Sequence, residues 1–168
     1  MYVYRYKTPR EYDDLVMTSD GEYLTALLFE GSKDINRYTV GCEERVLPVF
    51  AETSEWLDIY FSGRDPGFLP KMKFEGLSSF RAEVLEKMLR IPYGVSVTYG
   101  KIAADIAREK GLYRMSAQAV GGAVGKNPVC IIVPCHRVLG AKRKLTGYGG
   151  GLENKKALLR LEGITFKG

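Results

Sequence analysis

The sequence predicts two joined parts: a small α/β domain with an antiparallel sheet and a linker over residues 1–74, then a mainly helical domain over residues 75–168. Three observations predict this. β-rich runs crowd the first third, capped helical runs fill the second half, and the charge changes sign between them. Residues 1–74 carry nine Lys and Arg against 13 Asp and Glu, whereas residues 75–168 carry 16 against 7. A basic excess confined to one half gathers polyanions, because neutralised phosphates release their counterions. The length suits one ordinary domain or two small ones sharing a core.

Met1 to Lys7 alternates, with Tyr2, Tyr4 and Tyr6 on one face, as in a strand. Leu15 to Thr18 and Tyr23 to Phe29 are further β-rich runs, joined by the hairpin signal Ser19-Asp20-Gly21. Leu47 to Phe61 places Val49, Phe50, Trp56, Leu57 and Tyr60 at helical spacing behind Pro48. Ser62 to Gly67 then breaks the chain, and a linker is expected up to Gly76.

In the second half, Ser78 or Ser79 is expected to cap a helix that buries Phe80, Val84, Met88 and Leu89 and ends at Pro92 and Gly94. Thr98 is expected to cap a short helix carrying Ile102, Ala103 and Ile106, and Ser116 another running from Ala117 to Val124. Helix, turn and a helix of small residues in the basic half fit a helix-turn-helix, and equally two core helices. Gly121 and Gly122 each cost about 1 kcal/mol relative to alanine inside a helix, so close approach of another backbone, protein or nucleic acid, is implied there.

Composition excludes several classes. The apolar fraction of 45% and charged fraction of 27% are those of a globular protein. No apolar run approaches the ~20 residues that span a bilayer, so no membrane partner is expected. MYVYRYKTPREYDD has no apolar h-region, so no secretory signal is expected. Cys42, Cys130 and Cys135 are an odd, sparse set, expected as reduced thiols in the cytoplasm.

Val129 to Val133 reads as a buried strand, followed by Pro134-Cys135-His136-Arg137-Val138 with the only histidine in the chain. Only a thiolate is a good nucleophile, and histidine is the side chain best placed to take the proton near neutrality. Neighbours in extended chain point to opposite faces, so proton transfer from Cys135 to His136 is expected to pass through a water. An imidazole base needs an orienting acceptor, and Glu162 is the candidate. It follows the helix Asn154 to Leu161, just before Gly163, where a carboxylate opposes the helix dipole by about 0.3–1 kcal/mol. That unfavourable charge implies a partner, with a surface salt bridge to Arg160 or Lys156 as the alternative.

Asn127-Pro128, then Ile131-Ile132-Val133-Pro134-Cys135-His136-Arg137-Val138, resembles the signature of the O6-alkylguanine-DNA alkyltransferases, the methylated-DNA–protein-cysteine methyltransferases. Ala119-Val120-Gly121-Gly122-Ala123 upstream and Gly147-Tyr148-Gly149-Gly150-Gly151-Leu152 downstream match as well. The resemblance covers residues 75 to 166 well and the first third loosely. It implies an RNase H-like N-terminal domain and a winged helix-turn-helix-like C-terminal one. It implies stoichiometric, irreversible transfer of an alkyl group from O6-alkylguanine in double-stranded DNA, with O4-alkylthymine as a further candidate substrate, to Cys135. His136 would be the base and Glu162 its orienting group, with no cofactor and a monomer expected.

By the same resemblance, Asn127 ties the recognition helix to the active-site strand; as a residue read alone, it is equally a turn former before Pro128. Tyr99 would rotate the nucleotide and hydrogen-bond the base, although it is one of eleven tyrosines. The carbonyls of Cys135 and Val138 would accept from the guanine amine, the Gly149 N–H would donate to O6, and Tyr148 would wall the pocket. The base must leave the stack for its substituent to meet a buried thiol. The recognition helix would lie in the minor groove, with Arg81 and the Gly100 N–H on phosphates.

Two departures from the family pattern stand out. Gln118 occupies the place of an arginine that fills the gap left by the flipped base, with Arg114 as an electrostatic substitute, and the loop Glu109 to Met115 is longer than in compact members. One histidine, already assigned, and Cys42 alone in the first 74 residues leave no set for a structural zinc, so no metal site is expected. A helix-turn-helix regulator or a non-catalytic binder of alkylated DNA is the rival class. A cysteine hydrolase is the other, for which neither a histidine from elsewhere nor an oxyanion hole is visible.

Overall fold

A computed structural model describes residues 1–168. Strands β1 (Tyr2–Tyr6), β2 (Leu15–Ser19) and β3 (Leu24–Phe29) form the antiparallel meander that alternation predicts. In the β2–β3 turn, Asp20 Oδ1 accepts the N–H groups of Glu22 and Tyr23 at 3.0 and 2.8 Å, and Gly21 takes a φ of 114°. Helix α1 (Ile35–Thr39) follows, then β4 (Glu43–Glu44), which pairs parallel to β1. The order β3-β2-β1-β4 is therefore mixed at one edge, where the sequence predicts antiparallel pairing throughout. Two residues are too few to show a period, which is why β4 is invisible in the sequence. Helix α2 (Pro48–Phe61) then buries Val49, Phe50, Trp56, Leu57 and Tyr60, the predicted apolar face.

The segment expected as a linker lies along the outer edge of β3. Leu24 N–H donates to the Lys71 carbonyl at 2.8 Å, Lys73 N–H donates back to Leu24 at 3.0 Å, and Trp56 Nε1 donates to the Phe68 carbonyl at 2.8 Å. Farther along the same edge, Leu27 N–H donates to Pro128 and Cys130 N–H to Leu27, both at 2.8 Å. These bonds satisfy edge groups that would otherwise be open to a foreign strand. They also anchor the chain just ahead of Cys135 to the N-terminal sheet.

Helices α3 (Ser79–Leu89), α4 (Tyr99–Lys110) and α5 (Ala117–Val124) start at predicted caps. The Ser78, Thr98 and Ser116 hydroxyls accept from the N–H groups of Arg81, Lys101 and Ala119 at 3.2, 3.0 and 3.2 Å. Strand β5 (Val97–Thr98) pairs parallel to β6 (Val138–Leu139) beside this helix pair. Helix α6 (Leu152–Leu161) closes the fold, stopped by Gly163 at a φ of 71°.

The strand predicted over Val129 to Val133 does not form. Only Val129 bridges, to Leu27, and the chain then turns twice. Ile132 N–H donates to Cys130 O across Ile131, whose φ is 70°, and Cys135 N–H donates to Val133 O across Pro134 at φ −81°, ψ 64°. The second is an inverse γ-turn; the first carries the strained sign of φ for a β-branched residue. Asn127 stabilises this geometry, donating through Nδ2 to the carbonyls of Val129 (3.2 Å) and Val133 (2.9 Å) and accepting from Val129 N–H at 3.0 Å. An apolar run does not distinguish a strand from a buried turn whose polar groups one amide side chain satisfies. Residues Cys135–Arg137 then form a 3₁₀ turn.

One core cluster of 28 buried residues runs through the molecule, joining Met17, Phe29 and Leu57 to Val84, Ile106 and Ile131. No helix is long and apolar enough to cross a membrane.

Candidate active site

The 3₁₀ turn places Cys135, His136 and Arg137 in the interior, all nearly inaccessible. His136 Nε2 lies 2.5 Å from Glu162 Oε2, and that oxygen also accepts the Tyr60 hydroxyl at 2.6 Å. Glu162 Oε1 accepts Arg137 Nε at 2.7 Å and Gly94 N–H at 3.0 Å. The carboxylate at the end of α6 therefore has buried partners. Neither alternative surface partner is used: Lys156 pairs with Glu153, and Arg160 lies over the Phe166 ring.

Burial alone would raise the Glu162 pKa, but the hydrogen bonds and charges of His136 and Arg137 outweigh it and hold the carboxyl at about 2. Burial pulls His136 below its ordinary value, against the pull of Glu162. At neutral pH this is a neutral imidazole donating from Nε2 to a carboxylate whose charge Arg137 balances. Its other nitrogen, Nδ1, is buried without a protein partner and carries a free lone pair.

Cys135 Sγ is 3.8 Å from the Tyr148 hydroxyl. The adjacent Cys130 thiol lowers its pKa, burial opposes, and the Asn127 amide, the Tyr148 hydroxyl and the Lys155 charge bring it down to about 7. An ordinary thiol sits near 8.5, so a substantial thiolate fraction exists at neutral pH. Lys155, fully buried on α6, donates to the Val138 carbonyl at 3.0 Å with its ammonium 5.7 Å from the Tyr148 ring centroid. Burial brings its pKa down to about 8, and the Cys135 charge works the other way.

Cys135, Cys130, Asn127, Tyr99, Tyr148, Gly149 and Lys155 line one cavity of about 290 Å³, closed on the N-terminal side by Leu28, Ser32 and Tyr38. A groove lined by Thr98, Tyr99, Gly100, Gln118 and Gly121 leads into it, with Tyr99, Gly121 and Gly149 shared between the two. Tyr99 opens α4, and its hydroxyl lies 2.9 Å from Thr146 Oγ1. Gly121 faces the Tyr99 ring, whereas Gly122 faces open space. The two glycines therefore have different neighbours, the Tyr99 ring and the outer surface.

Of the expected site residues, Cys135, Asn127, Tyr99, Tyr148 and Gly149 share the cavity, and His136 and Glu162 lie behind it. Val138, expected on the cavity, is fully buried and not among the residues that line it; its carbonyl accepts Lys155 Nζ, leaving one lone pair, and its N–H donates to the Cys135 carbonyl. Gln118 and Gly100 are exposed on the groove. Arg81 and Arg114 are not among the groove's lining residues; Arg81 sits in the first turn of α3 and Arg114 in the exposed loop before α5. Sequence reasoning missed Tyr60, Arg137, Lys155 and Cys130. Arg137 had a signal, its place next to the only histidine; a tyrosine 76 residues away has none.

A helix-turn-helix pair whose groove leads to a buried, ionisable thiol, backed by an imidazole–carboxylate pair, defines a protein with cysteine chemistry beside a helical groove. The comparisons narrow that class. Residues 79–164 match the family described as 6-O-methylguanine DNA methyltransferase, DNA binding domain. The methylated-DNA–protein-cysteine methyltransferase of Haemophilus influenzae is 40% identical over 154 residues, 90% of this chain and 82% of that protein. That of Methanosarcina acetivorans is 46% identical over 114 residues, 68% of this chain and 69% of its own. The crystal structure of Mycobacterium tuberculosis OGT in complex with DNA superposes with a TM-score of 0.80 at 35% identity, covering 96% of this chain and 92% of that one. The chain belongs to the methylated-DNA–protein-cysteine methyltransferase family.

Proposed function

We propose that this protein binds double-stranded DNA and repairs it by moving an alkyl group from O6 of guanine to Sγ of Cys135, once per molecule. The observation that carries this reading is the thiol held at about 7 in a cavity that a helix-turn-helix groove enters. The flipped base passes Tyr99 into the cavity and lies between Tyr148 and the Val138 carbonyl, whose second lone pair remains for the exocyclic amine. The thiol proton passes through a water to His136 Nδ1, and Glu162 holds the ring from the opposite side. The thiolate attacks the alkyl carbon, the carbon–O6 bond breaks, and the Gly149 N–H stabilises charge on the departing guanine oxygen. The product is a thioether, and no group in the cavity hydrolyses it.

Gln118 and Gly100 on the groove rim support a DNA path across α4 and α5, with Arg81 and Arg114 acting through charge at longer range. A monomer working in a reducing cytoplasm completes the proposal, since the chemistry needs a free thiol. Duplex carrying labelled O6-methylguanine tests it. The wild-type protein should take up one label on Cys135, whereas Cys135→Ala should take none and still bind the duplex. Label on the Ala variant, or binding without label by wild type, would sink the assignment. The second of these results is the signature of a non-catalytic binder.

A further inference from the structure

Cys130 is a second buried thiol, which helps to lower the Cys135 pKa but makes and breaks no bond in the transfer. It stands five residues before Cys135, and in a fully extended chain the two sulfurs would lie on opposite faces with Cα atoms about 17 Å apart. The turns at Ile131 and Pro134 break that extension. Both cysteines line the same cavity, and both are free. We propose that Cys130 and Cys135 form a peroxide-reactive dithiol, in which Cys130 captures oxidised Cys135 as a reversible disulfide and spares the acceptor from irreversible oxidation.

The chemistry balances in two steps. The Cys135 thiolate attacks one oxygen of a hydroperoxide: a sulfur–oxygen bond forms, the oxygen–oxygen bond breaks, and hydroxide (from an organic peroxide, an alkoxide) leaves and is protonated. Sulfur loses two electrons to the peroxide and becomes a sulfenic acid. The Cys130 sulfur then attacks the Cys135 sulfur; the disulfide bond forms, the sulfur–oxygen bond breaks, and the leaving hydroxide takes the Cys130 proton as water. A thiol reductant restores both groups by exchange.

The two thiols are suited to different roles. The hydrogen bond with Cys135, and then burial, push the Cys130 pKa well up, so it keeps its proton while Cys135 ionises. The low-pKa thiol is the one that meets peroxide first. A lone low-pKa cysteine in an open cavity proceeds to sulfinic acid, which would end a one-use protein before it had repaired anything. Cys42 has no part in this; it lines a different pocket, with its thiol donating to the Tyr38 carbonyl at 3.3 Å.

The test exposes DNA-free wild-type protein, Cys130→Ala and Cys130→Ser to hydrogen peroxide, followed by non-reducing mass spectrometry. Tryptic peptide 127–137 holds both cysteines. In wild type it should become two hydrogens lighter while Cys42 stays free to alkylate, and dithiothreitol should restore at least half of the lost transfer activity. In both variants, Cys135 should gain oxygen and activity should stay lost; circular dichroism confirms that each is folded. Loss of Cys130 also raises the Cys135 pKa, so the product and not the rate decides. Sulfinic acid in place of the disulfide on wild-type Cys135, or a disulfide to Cys42, overturns the proposal. Because the mass shift is read without DNA, it stands or falls separately from alkyl transfer.

Discussion

At the scale of single residues, the group a sequence reading passes over is Lys155, the weakest of the named influences on the Cys135 thiol. A fully buried ammonium is costly, and its depressed pKa records that cost. In return, it places positive charge near the Cys135 sulfur. The acid limb of the transfer rate should follow thiolate formation, rising with pH through about 7. Removing the ammonium withdraws stabilisation from the thiolate, so the thiol pKa rises and the limb moves to higher pH. Lys155→Met should shift the midpoint of the single-turnover pH–rate profile upward by about half a unit or less. An unshifted profile would show that the lysine serves only the Val138 carbonyl. The placement of the motif residues was legible here: Cys135 lines the cavity and His136 meets Glu162, as the sequence pattern leads one to expect. Lys155 was not, because a lysine among the charged residues of α6 looks solvated until packing closes over it.

At the scale of elements, capped helices were easily read and the active-site segment was not. Ser78, Thr98 and Ser116 are local signals that act within their own turn. The turns at Ile131 and Pro134 depend instead on the Asn127 amide and on bonds to Leu27, which no local pattern encodes. Helix α5 offers a separable test. A Cβ at Gly122 meets nothing within 4 Å, and its φ is not in the left-handed region. Gly122→Ala should therefore stabilise the free protein by about 0.5–1 kcal/mol, seen as a higher melting temperature. The same methyl lies on the face proposed to approach DNA, so duplex affinity should fall. A variant more stable and equally tight in binding would place the DNA elsewhere.

At the scale of the whole molecule, Glu162 ties together parts that are distant in sequence: Tyr60 from α2, Gly94 ahead of β5, His136 and Arg137 in the 3₁₀ turn, and its own position at the end of α6. Removing one charge of a buried pair leaves the other uncompensated, so Glu162→Gln should destabilise the fold by about 3 kcal/mol or more in urea titration. The pH dependence has a definite sign. The folded carboxyl is depressed to about 2, so its contribution is complete above the unfolded value and is lost as pH falls from there through about 2. The Gln variant should lack that part of the acid transition. An unchanged acid profile would show that the ionised carboxylate adds nothing to the native state. The strands of the first third, the helices of the second half and the basic charge there were visible in the sequence. The extent of joining was not, since hydrogen bonds along the β3 edge leave no mark on hydropathy.

The bonds of Leu27 to Pro128 and Cys130 also govern timing. The backbone that presents the sulfur is held by a strand made a hundred residues earlier, and its ammonium neighbour arrives only with the final helix. A chain caught midway through renaturation therefore bears an ordinary, sluggish mercaptan. Nucleophilic power should emerge in the same kinetic phase as global closure, and stopped-flow refolding, quenched at intervals into labelled alkylated duplex, would register the two together.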